Sequence, residues 1–212
     1  MGSDGLAQSI KDMESHFNDQ LARRDKVLKD SRDVISSCSR SIIAVHNRRP
    51  KEAQAELARA KSLLAALKKS GSSQLSRYIV SPETEFVEAS SVLALSRGGR
   101  VPTREDLGAS PEAYLLGLLD TVGELKRLVL DSIMHDDLVK AKKYFQVMQD
   151  LYSTCSPLAA YDHVVNGARR KIDVARMLVE DTRSVMTEES RRESVTTTMA
   201  RLEKRLAGKK RP

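Results

Sequence analysis

The chain of 212 residues has no tryptophan, and aromatic residues make up only 4% of it. Its core must therefore be built mostly from Leu, Val, Ile, Ala and Met, which suits packed helices. Ten glycines and six prolines are few for this length, so turns should be few and elements long. Cys38 and Cys155 are isolated thiols. Their spacing makes neither a disulfide framework nor a metal motif, and it fits a reduced, cytoplasmic setting. Nothing near Cys38 in sequence activates it as a nucleophile. No apolar run approaches the ~18 residues of a membrane span, so no membrane partner is expected. The opening Met1-Gly2-Ser3-Asp4-Gly5-Leu6 lacks a basic region and apolar core, so no secretory signal is expected. Leu6 also stands where a myristoylation motif wants Ser or Thr. There is no Gly-rich phosphate loop, since Arg97-Gly98-Gly99-Arg100 lacks the Walker spacing. There is no Gly-x-Ser-x-Gly elbow, and His16, His46, His135 and His163 form no ligand pattern.

Charge is plentiful and segregated. The whole chain carries +7. Residues 1–72 hold 14 Lys and Arg against 9 Asp and Glu, residues 73–137 hold 6 against 11, and residues 138–212 hold 16 against 9. An acidic centre thus lies between basic flanks. A nuclease needs both, anionic ligands for metal and cationic surface for a phosphate backbone. Compact basic clusters stand at Arg23-Arg24-Asp25-Lys26, Arg48-Arg49-Pro50-Lys51 and Arg169-Arg170-Lys171. Each alone reads as solvated surface, but together they make nucleic acid the leading partner class. With so few aromatics to stack on bases, backbone contacts should dominate.

Apolar periodicity predicts an all-α chain of about seven helices with short connections, and no strand. Leu6 to about His46 reads as one helix of roughly 60 Å, long enough to favour a bundle or an oligomer. Asn47-Arg48-Arg49-Pro50 breaks it, with Pro50 placed to start the next helix over 51–69. Ser70-Gly71-Ser72-Ser73 reads as a loop. A third helical stretch over 74–97 is expected to break or kink at Ser81-Pro82, with Ser81 as a fresh cap. Residues 103–107 are at most one short turn. Ser110-Pro111-Glu112 opens a helix to about Met134, and His135-Asp136-Asp137 makes a corner before a helix over Leu138–Thr154. Two further helices are expected over Leu158–Met186 and Glu188–Leu206. The chain reads as one helical domain over 1–207 with a loose basic tail at 208–212.

Within the acidic centre two motifs stand out. Glu85 and Glu88 are spaced i,i+3, and Asp120 and Glu124 are spaced i,i+4, so each pair shares one helix face. Facing each other, they would present four oxygen donors, the ligands that hard divalent cations prefer. Two such ions about 3.5–4 Å apart can drive phosphodiester cleavage. The plainer alternative is a solvated or ion-paired face. Asp120, Glu124, Arg127 and Asp131 lie opposite Leu115, Leu118, Val122, Leu125, Val129 and Ile133. The stripe of Glu85 and Glu88 continues in Ala89, Val92 and Leu95, so these two carboxylates should be packed and need a cation or an arginine such as Arg127. Spacing alone leaves open a metal site or a structural Glu–Arg cluster.

The run from Arg24 to Ile35, continuing through Ser41-Ile42-Ile43-Ala44-Val45-His46, resembles the first helix of translin and translin-associated factor X. Glu85-Phe86-Val87-Glu88-Ala89 is similar to that factor's Glu-Tyr-Val-Glu-Ala. Tyr114-Leu115-Leu116-Gly117 with Asp120-Thr121-Val122-Gly123-Glu124-Leu125-Lys126-Arg127 resembles its Asp-Leu-Thr-Gly-Glu-Leu-x-Arg helix. Asn166–Val179 falls where the family has its penultimate helix. The resemblance covers roughly residues 20–185, and the two acidic motifs in this order and distance are its specific part. It implies an all-α translin-like bundle that assembles into a hollow octameric barrel. It also implies a metal-dependent endoribonuclease centre in which Glu85, Glu88, Asp120 and Glu124 are catalytic and hold Mg²⁺, with Mn²⁺ or Ca²⁺ as alternatives in the same site. Arg127 would contact the scissile phosphate or its transition state. Arg23, Arg24 and Lys26, on the family-like first helix, would bind RNA. The implied partners are single-stranded RNA, single-stranded DNA as a bound species, and further copies of the chain in a homo-octamer. The chain's compactness implies an archaeal-type member. Its short segment around Gly98-Gly99 up to Ser110 departs from the eukaryotic pattern, so substrate choice does not carry over. The rival expectations are a non-catalytic translin-like scaffold and a helical interaction module with a structural acidic patch.

Overall fold

A computed structural model describes residues 3–70 and 77–208. Among these there are seven α-helices and no strand. The chain divides into two compact units, 1–117 and 118–212, and the boundary falls inside the fifth helix.

The first unit is organised by α1 (Ser3–His46), α2 (Pro50–Ser70) and α3 (Val80–Ser96), followed by the short α4 (Arg104–Leu107) and the start of α5 (Pro111–Ile133). Its core gathers Val27, Val34, Cys38 and Ile42 from α1, Ala60, Leu64 and Leu67 from α2, and Phe86 and Ala89 from α3. Each buried Leu or Val contributes about 1.5–3 kcal/mol. Small residues let α1 and α2 approach closely. Ser37, Ala53 and Ala60 are fully buried, and the buried Ser41 hydroxyl donates to the Ala53 carbonyl at 2.8 Å. The serines at 37 and 41 are therefore packing residues. Before Val27, every residue from Gly5 to Lys26 is exposed.

Helix ends explain most boundaries. Arg48 takes a left-handed φ of 56°, and the Arg49 amide donates to the Ala44 carbonyl at 2.8 Å, which closes α1 and lets Pro50 open α2. Gly98, at φ 78°, closes α3, with the Gly99 amide reaching the Ala94 carbonyl at 3.0 Å. The Gly98-Gly99 pair is thus a helix terminator. Thr103 and Asp106 form a reciprocal capping box on α4.

One boundary differs from expectation. Ser81 does not cap α3; residues 77–79 are not α-helical, so the expected interruption falls just ahead of Ser81 and of the helix. It starts at Val80 after Ile79, which puts Pro82 in the first turn, where its missing N–H is not needed. Residues 71–76, which include most of the expected loop and the start of the expected third stretch, lie outside the described residues.

The second unit contains the rest of α5, then α6 (Leu138–Cys155), a 3₁₀ segment (Ser156–Tyr161) and α7 (Ala168–Gly208). Asp136 turns the corner at φ 56°, and Asp137 caps α6 by accepting from the Lys140 amide at 3.0 Å. Leu125, Val129, Met148, Val179 and Thr182 are buried. Two expected helices are one: α7 runs unbroken through Thr187, whose hydroxyl donates to the Arg183 carbonyl at 2.8 Å and leaves the ladder intact. Conversely, residues 158–167 are not α-helical. Pro157 stands in the first turn of the 3₁₀ segment, and Gly167, at φ 84°, redirects the chain into α7. Beyond Gly208 the basic tail is outside the described residues.

Candidate functional site

Glu85 and Glu88 come from the middle of α3. Glu88 is buried and Glu85 half-buried. Cys38 of α1, fully buried, lies within their electrostatic reach. Burial pushes the Cys38 thiol up to about 12, and the charges of Glu85 and Glu88 push the same way. Both carboxylates therefore sit on the α1 side of α3, and Cys38 is an inert packing thiol rather than a nucleophile.

The α1–α3 seam has a consistent register. The Ser31 hydroxyl donates to the Tyr78 carbonyl at 3.2 Å. Seven residues later on each chain segment stand Cys38 and Glu85, which sense each other. The two helices thus run parallel, with Arg24, Ser31 and Cys38 along one α1 stripe.

A third glutamate on α3 escaped sequence reasoning. Glu83 is buried, pairs with Lys68 of α2, and accepts a hydrogen bond from the Ser110 hydroxyl. It anchors α2 and the start of α5 to α3, a structural role. Gly117 sits against the same stretch: a Cβ there would lie 2.6 Å from the Thr84 carbonyl oxygen and 2.7 Å from the Val87 Cβ. Only glycine lets α5 press this closely against the residues that flank Glu85 and Glu88.

The second unit supplies Asp120 and Glu124 from α5, both half-buried. Lys171, at the start of α7, donates to both carboxylate oxygens of Asp120. In the sequence Lys171 belongs to a basic cluster, Arg169-Arg170-Lys171, with the look of solvated surface. The signal lay in Ala168 and Ala175, three residues before and four after it, both buried, whose helix face Lys171 shares half-buried. A second bridge, Lys126 to Asp181, ties α5 to α7 farther along. Arg127 is exposed. Arg23, Arg24 and Lys26 are all exposed on α1, but only Arg24 turns toward α3, where its Nε donates to the Tyr78 hydroxyl at 3.3 Å.

Each unit therefore carries two of the four candidate carboxylates, and within neither unit, among the described residues, do three His, Cys, Asp or Glu side chains gather as metal ligands. The donor chemistry of the four carboxylates, all hard oxygens, fits a small divalent cation. No helix among the described residues is long and apolar enough to cross a membrane.

Residues 22–186 match the Translin family. The chain belongs to that family. An uncharacterized protein of Methanocaldococcus jannaschii is 32% identical over 164 residues, covering 75% of this chain and 72% of the relative. Among solved structures, AfC3PO superposes with a TM-score of 0.76 at 29% identity, covering 92% of this chain and 99% of that one. AfC3PO in a duplex RNA complex superposes with a TM-score of 0.74 at 28% identity, covering 92% and 98%. Apo-NeC3PO, at 20% identity and a TM-score of 0.72, shares the fold, with coverage of 84% and 95%. The all-α translin-like architecture expected from the sequence is thus the architecture found.

Proposed function

We propose that this translin-family chain is a metal-dependent endoribonuclease that cuts single-stranded RNA inside a homo-octameric barrel. The observation that carries the reading is the pair Glu85 and Glu88, half-buried and buried on one face of α3. Two carboxylates one helical turn apart, both beside a fully buried thiol, offer the paired hard oxygen donors that a divalent cation takes. Asp120 and Glu124, in the order and spacing of the family's second acidic motif, complete the ligand set. Bound Mg²⁺, or Mn²⁺ or Ca²⁺ in its place, supplies Lewis-acid polarisation of the scissile phosphate and a strong nucleophile from water at neutral pH.

The remaining chemistry falls to side chains of this chain. Lys171 holds Asp120 oriented and places a positive charge where a phosphate oxygen would approach. Arg127, exposed one turn beyond Glu124, is free to follow the RNA backbone or to steady charge on the phosphate in the transition state. RNA as the partner is supported by the duplex RNA complex of a similar chain and by the basic flanks. Duplex binding is accordingly expected here too, and the preference for single strands concerns cutting. Exposed apolar stripes support assembly: Leu6, Ile10, Met13 and Phe17 on α1, and Val195, Met199, Leu202 and Leu206 on α7, all 49–66% exposed, repeat at the same four-three-four spacing.

One observation favours a second reading, a non-catalytic scaffold for RNA or single-stranded DNA. Lys171 already neutralises Asp120, as in a structural ion pair. The two readings separate in a cleavage assay on labelled single-stranded RNA with Mg²⁺ and with EDTA. Mg²⁺-dependent cutting supports the enzyme, and binding without cutting under both conditions supports the scaffold.

A further inference from the structure

Just ahead of α3, two guanidinium groups converge on one neutral oxygen. Arg24 Nε lies 3.3 Å from the Tyr78 hydroxyl and Arg77 Nη2 lies 2.9 Å from it. Both guanidinium carbons also stand over the Tyr78 ring, at 6.0 and 4.8 Å from its centroid. The phenol is held in turn through its backbone, whose carbonyl accepts from Ser31. Each arginine spends a single N–H on the shared hydroxyl and keeps a planar fork of donors, and both side chains are at the surface. The nearest carboxylate to Arg24 is Asp25, at 3.7 Å and itself exposed, too loose a pair to tie the guanidinium down. Two positive groups pinned on one uncharged acceptor form a preorganised site for an anion with several oxygens. The same pull lowers the Tyr78 hydroxyl below its usual range, through its hydrogen bonds to Arg24 and Arg77.

The position of this cluster says which anion. Tyr78 lies on the α1–α3 seam, seven residues before Glu85, which is about 10 Å of helix rise. The Ser31 and Cys38 contacts place it in line with Glu85 and Glu88. A ligand held here must extend along the seam to reach them, as a polymer of phosphates does and an isolated small anion does not.

We propose that Arg24, Arg77 and Tyr78 form a clamp for a backbone phosphate of single-stranded RNA, setting the strand's register relative to Glu85 and Glu88. This rests on the reading that the chain binds RNA, and it adds Arg77 and Tyr78 to the contact surface while giving Arg24, rather than Arg23 or Lys26, the central part.

The experiment is fluorescence anisotropy of a labelled single-stranded RNA on the full chain at graded salt. It compares wild type, R24Q/R77Q, R77Q alone, Y78F, and a charge-matched control, R201Q/K204Q. Helicity is checked by circular dichroism. Wild type should bind with a steep salt dependence. R24Q/R77Q should bind about tenfold more weakly at low salt, with a slope of log affinity against log salt shallower by about 1.4, and R77Q alone by about 0.7. Y78F keeps both charges, so its affinity should fall with the slope unchanged. R201Q/K204Q should keep the wild-type slope. If R24Q/R77Q loses helicity, R77Q decides. Wild-type affinity and slope in R77Q, or an equal loss in R201Q/K204Q, overturns the clamp while RNA binding stands. A wild-type chain that does not bind RNA overturns the underlying reading and the clamp with it.

Discussion

Lys171 donates to both carboxylate oxygens of Asp120, so one ligand of the proposed metal centre already carries a cation from its own chain. The pair joins α5 to α7 and leaves both side chains about one-third exposed. Lys171→Met should therefore cost only about 1 kcal/mol in metal-free buffer. It should also tighten Mg²⁺ binding severalfold, because the ion no longer competes with an ammonium, while slowing cutting. Thermal melts in EDTA and Mg²⁺ titrations followed by calorimetry would show both. Weaker Mg²⁺ binding in the variant would mean that Lys171 helps to hold the site rather than compete for it.

Gly117 is expected to be intolerant. A methyl group there meets backbone and a β-branched side chain, neither of which can swing away. Gly117→Ala should lower stability by about 1–3 kcal/mol and reduce cutting more than binding, since Thr84 and Val87 flank the glutamates. Denaturant unfolding and cleavage on the same preparation would show this. A variant as stable as wild type would mean that α5 does not press on α3 as described.

The thiols give a pH dependence with a definite sign. Cys38 is raised from 9.0 to about 12 and Cys155 to about 11, both chiefly by burial. The folded chain holds these protons more tightly than the unfolded one. Their contribution is therefore complete below pH 9 and is lost as pH rises through 11 and 12. Urea midpoints measured from pH 7.5 to 10.5 should fall at the alkaline end, and less steeply in C38A/C155A. Parallel curves would remove the thiols as the cause.

The apolar stripe on α1 should drive assembly. Changing Leu6, Ile10, Met13 and Phe17 together to Ser leaves a helix whose other residues are unaltered, so circular dichroism should remain helical. Light scattering should show an octamer for wild type and a smaller species for the variant. A wild-type monomer at micromolar concentration would contradict the barrel.

Much of this was legible in the sequence, because long helices with few glycines and prolines have a clear period. Pro50, Gly98 and Asp137 each acted as local chemistry requires. The misread points are those where tertiary context overrides a local signal. Ser81-Pro82 has the form of a cap, yet the helix starts two residues earlier at Val80, because Pro is tolerated throughout the first turn. Thr187 looked like a gap between helices, but its hydroxyl bonds back into the ladder. At the site, the helical spacing of Glu85 and Glu88 correctly implied a shared, packed face. The partnership of Lys171 with Asp120 and of Lys68 with Glu83 was hidden, since 51 residues separate the first pair and no local pattern encodes such a contact. The Arg24–Tyr78 contact spans 54 residues and was hidden for the same reason.

The central claim is that the four carboxylates act together as a metal-dependent cutting centre. The most direct test measures single-turnover cleavage of a labelled single-stranded RNA at saturating Mg²⁺ by wild type, Glu88→Gln and Asp120→Asn, with RNA binding recorded in the same samples. Both variants are expected to stay helical and bind RNA as wild type does, and to cut about a hundredfold more slowly or worse. Cutting at the wild-type rate in both variants would contradict the account.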